Sequence, residues 1–185
     1  MRVPAFLLAL MTATTALAGA CAGPPAPVQN AKTAPDETVN LNAAGEFSAD
    51  DPGAIAYDRK LAPQGAQASV TIESGDGQTR TSLVVEGLLP GRRYGAHLHT
   101  KPCGRKPDDA GPHYQHHPGR IDADSEVWLD FTTDDEGAGR SSARNDWMLE
   151  RAKLPGSLVI HSQPTTTSGP EVGQAGARVA CLTLK

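Results

Sequence analysis

Aromatic residues are scarce in this chain, at 4% of 185, and basic runs are absent. With a formal charge of -4, that excludes the electrostatic footprint of a nucleic-acid partner. An acidic surface also repels anionic substrates unless local cations correct the field. No internal repeat is present, which excludes an array architecture. There are only 3 cysteines, too few for a disulfide-dense scaffold. What is abundant is glycine (19) and proline (15), a composition that favours short strands and many turns over long helices. At this length the chain suits one domain plus appendages.

The first appendage is N-terminal. Arg2 precedes an apolar run, Val3 to Ala18, that ends in small residues before Cys21. Charge, apolar core and small residues make a secretory leader over residues 1–20. Leu17-Ala-Gly-Ala-Cys21 resembles a bacterial lipobox, which predicts lipidation of Cys21 and anchoring to the outer face of the cytoplasmic membrane. A plain signal peptide cut before Cys21 is the alternative. Residues 21–53 then read as the lipidated cysteine and a flexible linker, because Pro, Ala, Asn and Asp dominate without apolar periodicity. With Cys21 acylated, Cys103 and Cys181 are left in an oxidising compartment, either as one pair or as two buried thiols.

Residues 54–185 form the domain. Ala68–Glu73 alternates, with Ala68, Val70 and Ile72 on one face. Arg80–Glu86 places Leu83 and Val85 against Val84. Arg93–His99, Glu126–Thr132, Ser157–His161 and Arg178–Leu184 complete the clearest strands. Asp146–Leu154 fits a short helix or a strand. Thr100–Asp124 and Gln163–Gly176 are loops by composition, and loops of such length are commonly functional. The expected fold is all-β, an antiparallel Greek-key sandwich or barrel of about eight strands with long loops.

His97 and His99 stand at i and i+2 of a strand. Side chains at that spacing share a face, so two imidazoles can grip one ion. His113, in Gly111-Pro-His113, and His161, in Leu158-Val-Ile-His161, are embedded in comparable contexts. Four such imidazoles suit copper.

Together these residues resemble the copper/zinc superoxide dismutase family over about residues 54–184. Gly95-Ala-His97-Leu-His99 matches its copper motif, Gly111-Pro-His113 its bridging-histidine motif, and Val159-Ile-His161 its last copper ligand. Gly176-Ala-Arg178-Val-Ala-Cys181 matches the motif near its C-terminus. The resemblance implies copper on His97, His99, His113 and His161, superoxide as substrate, and conversion to O₂ and H₂O₂. It implies that Arg178 docks superoxide, that His113 moves a proton, and that Cys103 is bonded to Cys181.

Two departures bear on the metals. The family completes a zinc site after the bridging histidine with two separated histidines and an aspartate. Here His116 and His117 are adjacent, and Asp122 and Asp124 follow at a different spacing. Adjacent side chains in an extended segment point apart, so these four are the zinc candidates of an incomplete pattern. The loop after His161 is short and lacks the acidic residues that support the metal ligands in the family. The pattern resembles the copper-only branch, and equally a member without turnover. A copper-binding or copper-storage module is therefore the alternative to an enzyme. Arg178 favours the enzyme, since holding copper needs no anion-docking cation. No feature fixes an oligomeric state.

Overall fold

The computed structural model describes residues 38–185. The leader, Cys21 and the linker up to residue 37 lie outside the described residues. Nine strands follow in order: β1 Val39–Glu46, β2 Ala54–Ala56, β3 Gln67–Gly75, β4 Gln78–Glu86, β5 Arg93–His99, β6 Phe131–Thr132, β7 Gly139–Asn145, β8 Ser157–His161 and β9 Arg178–Thr183. They build two sheets, ordered β1-β3-β4-β7 and β2-β9-β8-β5-β6. Every strand pair is antiparallel. A single 3₁₀ turn, Pro107–Ala110, is the only helical element among the described residues.

The four-stranded sheet keeps one wet face, so β3 and β4 alternate strictly between exposed and buried residues. This alternation is the signal their sequences show. Ala68, Val70, Ile72, Leu83 and Val85 enter the core while Val84 stays exposed. The five-stranded sheet is covered on both faces. Along β8 every residue is buried, and along β5 only Arg93 is exposed. Tyr94, Ala96, Leu98, Leu158 and Ile160 face the other sheet in the main core. Full burial of each large one among them contributes about 1.5–3 kcal/mol.

Side-chain alternation then sends Gly95, His97, His99, Val159 and His161 to the outer face of this sheet. Loops cover that face. There, Ile55, Ala110, Val159 and the Cys103–Cys181 disulfide form a second small core. The bond ties the loop after β5 to β9 across 78 residues of sequence. Cross-linking a loop of that length removes about 4.5 kcal/mol of unfolded-chain entropy in the loop-closure account.

Three segments differ from the sequence reading. The linker assigned to 21–53 gives way to strand at Val39, since β1 pairs with β3 over its whole length. β1 is a sheet edge whose inward residues are Val39, Leu41, Ala43 and Gly45, so its apolar alternation fades to small residues along the strand. Glu126–Thr132 forms strand only at Phe131–Thr132. Upstream it runs beside β5 with one bridge, His97 to Trp128, and one bond from Leu129 N–H to Ala96 O, 2.8 Å. Asp146–Leu154 is neither helix nor strand.

Candidate metal centre

β5 and β8 bring three histidines together by register alone. His161 lies opposite Gly95, and His97 lies opposite Val159. Gly95 has a reason to be glycine: a Cβ there would stand 2.8 Å from Gln163 O and 2.7 Å from the Ala175 side chain. The loop after His161 crosses at that point, with Gly95 N–H donating to Gln163 O at 2.7 Å. His113 arrives from the other long loop, which folds back along the end of β5. Tyr114 N–H donates to Leu98 O at 2.8 Å, and a bridge pairs His99 with His113.

The result is a cluster in which one ligand atom each from His97, His99, His113 and His161 lies within 4.8 Å of the others. It is the only group of this kind among the described residues. His97 Nδ1 and His113 Nε2 are 3.0 Å apart, and His99 Nε2 and His161 Nε2 are 3.3 Å apart. The outward nitrogens decide what these inward atoms are. His99 Nδ1 meets Gly111 O at 2.9 Å, and His161 Nδ1 meets Gly176 O at 3.3 Å. His113 Nδ1 meets Glu126 Oε2 at 2.9 Å. Carbonyl and carboxylate oxygens only accept, so these three nitrogens carry the protons. In the neutral rings the three inward nitrogens are therefore lone pairs. His97 Nε2 meets the Thr165 hydroxyl at 2.7 Å, a group able to donate or accept.

Converging lone pairs repel one another and attract a cation. The site also resists protons. Burial, reinforced by its histidine neighbours, pushes His97 well below the ordinary imidazole value. Burial is likewise the main cause of the fall of His99 to about 2 and of His161 to about 4. Imidazole donors held neutral in this way fit copper. They also make stability depend on pH. The unfolded chain protonates these histidines near pH 6.5 while the folded, metal-free chain does not, so acid favours unfolding. The melting temperature of metal-free protein is expected to fall between pH 7 and pH 5, at up to about 1.4 kcal/mol per pH unit for each histidine. A melting temperature that is flat or rises toward pH 5 contradicts the buried, neutral assignment.

Glu126 is a residue that sequence reasoning missed. Its side chain is 1% exposed. It accepts from His113, from Trp128 Nε1 at 2.9 Å and, on its other oxygen, from Gln115 Nε2 at 2.9 Å. Burial alone raises its pKa, but these hydrogen bonds outweigh it and hold the carboxyl below its usual range. A signal was present. The alternation that sends Val127, Leu129 and Phe131 inward turns Glu126, Trp128 and Asp130 to the opposite face.

The zinc candidates lie elsewhere. His116 stacks on Trp147 at 4.5 Å and against His117 at 4.6 Å. Asp122 and Asp124 are held by Arg120 at 2.5 and 2.8 Å, and Asp122 Oδ1 also caps Asp124 N–H and Ser125 N–H. The second nitrogen of His113 is occupied by Glu126 rather than turned toward any of these four. This donor set does not fit zinc beside His113.

Arg178 lies opposite His161 across a register shift between β8 and β9. It donates to Pro107 O at 2.6 Å and to Gly111 O at 2.7 Å. Gly111 O thus anchors both Arg178 and His99. Gly111 has a φ of +73°, and a Cβ there would meet the Thr100 hydroxyl at 2.5 Å. Arg178, His113 and His161 line a cavity of about 660 Å³ together with Ile121 and Val172. The His113 side chain is 19% exposed and the other three histidines are buried, so it is the cluster member that solvent reaches.

Comparisons with known proteins bear on this geometry. A profile of the family described as copper/zinc superoxide dismutase (SODC) matches residues 66–183. Among solved structures, the Cu/Zn superoxide dismutase from Brucella abortus is similar, with a TM-score of 0.54 and 22% identity, over 80% of this chain and 100% of that one. No curated protein matches. The two-sheet fold, the histidine cluster and a family profile covering more than half of the sequence lead to one conclusion: the chain belongs to the copper/zinc superoxide dismutase family.

Proposed function

We propose that this protein is a copper-dependent superoxide dismutase that works outside the cytoplasm without a zinc ion beside His113. The observation that carries the reading is the convergence of buried imidazole nitrogens whose outer atoms are tied to hydrogen-bond acceptors. His97, His99, His113 and His161 would hold copper, which supplies a one-electron centre that is alternately reduced and reoxidised. The overall reaction is 2 O₂⁻ + 2 H⁺ → O₂ + H₂O₂.

The chain's own groups do the rest. Arg178 attracts the anion into the cavity and orients it with a planar, permanently charged donor. His113, the most exposed of the four, would hold copper only in its oxidised state; on release, its Nε2 lone pair would take up a proton in the ion's place and deliver it to the reduced oxygen species. Throughout, its Nδ1–H stays on Glu126, so the ring returns to the same orientation. Where the family pattern would place zinc, the Glu126 carboxylate supplies the partner for that nitrogen.

The disulfide supports an oxidising compartment, and the leader with Cys21 supports export and a lipid anchor. Metal analysis tests the copper assignment. Protein exposed to both metals is expected to take one copper per chain, and adding zinc to copper-loaded protein is expected to leave superoxide consumption unchanged. A large, reproducible gain with zinc contradicts the role given to Glu126 and returns His116, His117, Asp122 and Asp124 to the site.

A further inference from the structure

We propose that Asp130 and Thr165 form a relay that sets the tautomer and orientation of His97, and that they are positioning residues for the metal centre. Two loops converge here. Asp130 stands on the metal-facing side of the segment beside β5, four residues beyond Glu126. Thr165, 8% exposed, stands in the loop that follows His161. The Asp130 carboxylate grips Thr165 twice: Thr165 N–H donates to Oδ2 at 2.6 Å, and the Thr165 hydroxyl donates to Oδ1 at 2.5 Å.

The second bond decides the chemistry. A hydroxyl has one proton, and here it is committed to a carboxylate. Thr165 Oγ1 can then only accept from His97 Nε2, 2.7 Å away. His97 therefore carries its proton on Nε2, and Nδ1 is a lone pair facing His113 Nε2 at 3.0 Å. Without Asp130, the same hydroxyl is free to donate to His97 Nε2, which favours the tautomer with the proton on Nδ1, pointing into the cluster. Sequence reading found no acidic support in the loop after His161. The support comes instead from Asp130, with a threonine as the intermediary.

The relay's effect on copper rests on the function proposed above, but its effect on His97 does not, so two measurements separate them. The first is the ¹⁵N imidazole spectrum of metal-free protein. Wild type is expected to show His97 protonated at Nε2. Asp130→Ala is expected to raise the Nδ1-protonated fraction. Thr165→Val is expected to disturb the tautomer while keeping the Thr165 backbone bond to Asp130, so the loop remains tied. Thr165→Ser restores the wild-type spectrum.

The second is copper affinity by chelator competition, read with the copper EPR spectrum. Loss of an outer partner typically weakens metal binding by roughly 10–100-fold, so Thr165→Val is expected to lose at least about tenfold and to alter the EPR parameters. Thr165→Ser is expected to stay near wild type. A wild-type His97 protonated at Nδ1, or a folded Thr165→Val protein with unchanged tautomer and affinity, overturns the relay. A wild-type protein that shows the Nε2–H tautomer but takes up no copper leaves the relay standing and overturns the copper reading.

Discussion

Replacing His97 and His99 together with alanine is expected to abolish high-affinity copper uptake. Both side chains come from the outer face of β5 and are fully buried. Their removal takes away two of the four nitrogens of the cluster and leaves His113 and His161 without a third partner. The loss should exceed the roughly 10–100-fold that follows from disturbing an outer-shell group. The strand itself should persist, because its inward residues Tyr94, Ala96 and Leu98 are untouched and remain in the main core. Equilibrium dialysis against a competing chelator measures the effect. An intact Cys103–Cys181 bond and an unchanged far-ultraviolet spectrum report that the variant has folded. One copper per chain at wild-type affinity in the double variant would mean that the site lies elsewhere.

Changing Arg178 to alanine is expected to cut superoxide consumption while leaving copper stoichiometry at one per chain. The chain is acidic overall, and attraction between exposed charges is screened beyond about 8–10 Å at physiological salt. An anion therefore needs a cation close to the metal, and Arg178 lines the same cavity as His113 and His161. Guidance by local charge alters encounter rates by roughly 10–10³-fold, so a loss of at least several-fold is expected, and Arg178→Glu should lose more. Arg178 also has a structural role, since it shares Gly111 O with His99. The comparison between the alanine and glutamate variants isolates the charge, because both lack the guanidinium bonds to Pro107 and Gly111. Equal activity in the two variants would show that Arg178 acts through those bonds and not as an anion guide.

The parts of the molecule that were legible in the sequence are those where burial and periodicity coincide. β5 and β8 have the predicted bounds, Arg93–His99 and Ser157–His161, since each is an apolar run between turn residues that ends in a histidine of the cluster. β3 and β4 were visible through their alternation. β7 was not, because Gly139-Arg-Ser-Ser-Ala-Arg-Asn145 is an edge strand with no large apolar residue. It is held by pairing with β4 rather than by a hydrophobic face. β1 escaped for a related reason: beyond Val39 and Leu41 its inward side carries only Ala43 and Gly45.

At the site, the four histidines stood in recognisable motifs, whereas the roles of the residues that orient them did not show. Gly111 and Gly176 lie in those motifs but act through backbone carbonyls, which any residue supplies. Glu126 and Asp130 sit in a segment that looks like an ordinary half-buried strand. Only the path of the chain beside β5 shows that its polar face covers the four-histidine cluster and not solvent.

Turnover at the four-histidine site is what separates an enzyme from a copper-binding module. The direct measurement is superoxide consumption by purified protein carrying one copper per chain, set against the metal-free protein, the His97→Ala, His99→Ala double variant and a heat-denatured control with the same copper. Consumption is expected to require both copper and the two β5 histidines. Folded, copper-loaded wild-type protein that consumes superoxide no faster than the denatured control would contradict the enzyme reading and leave a copper-binding module in its place.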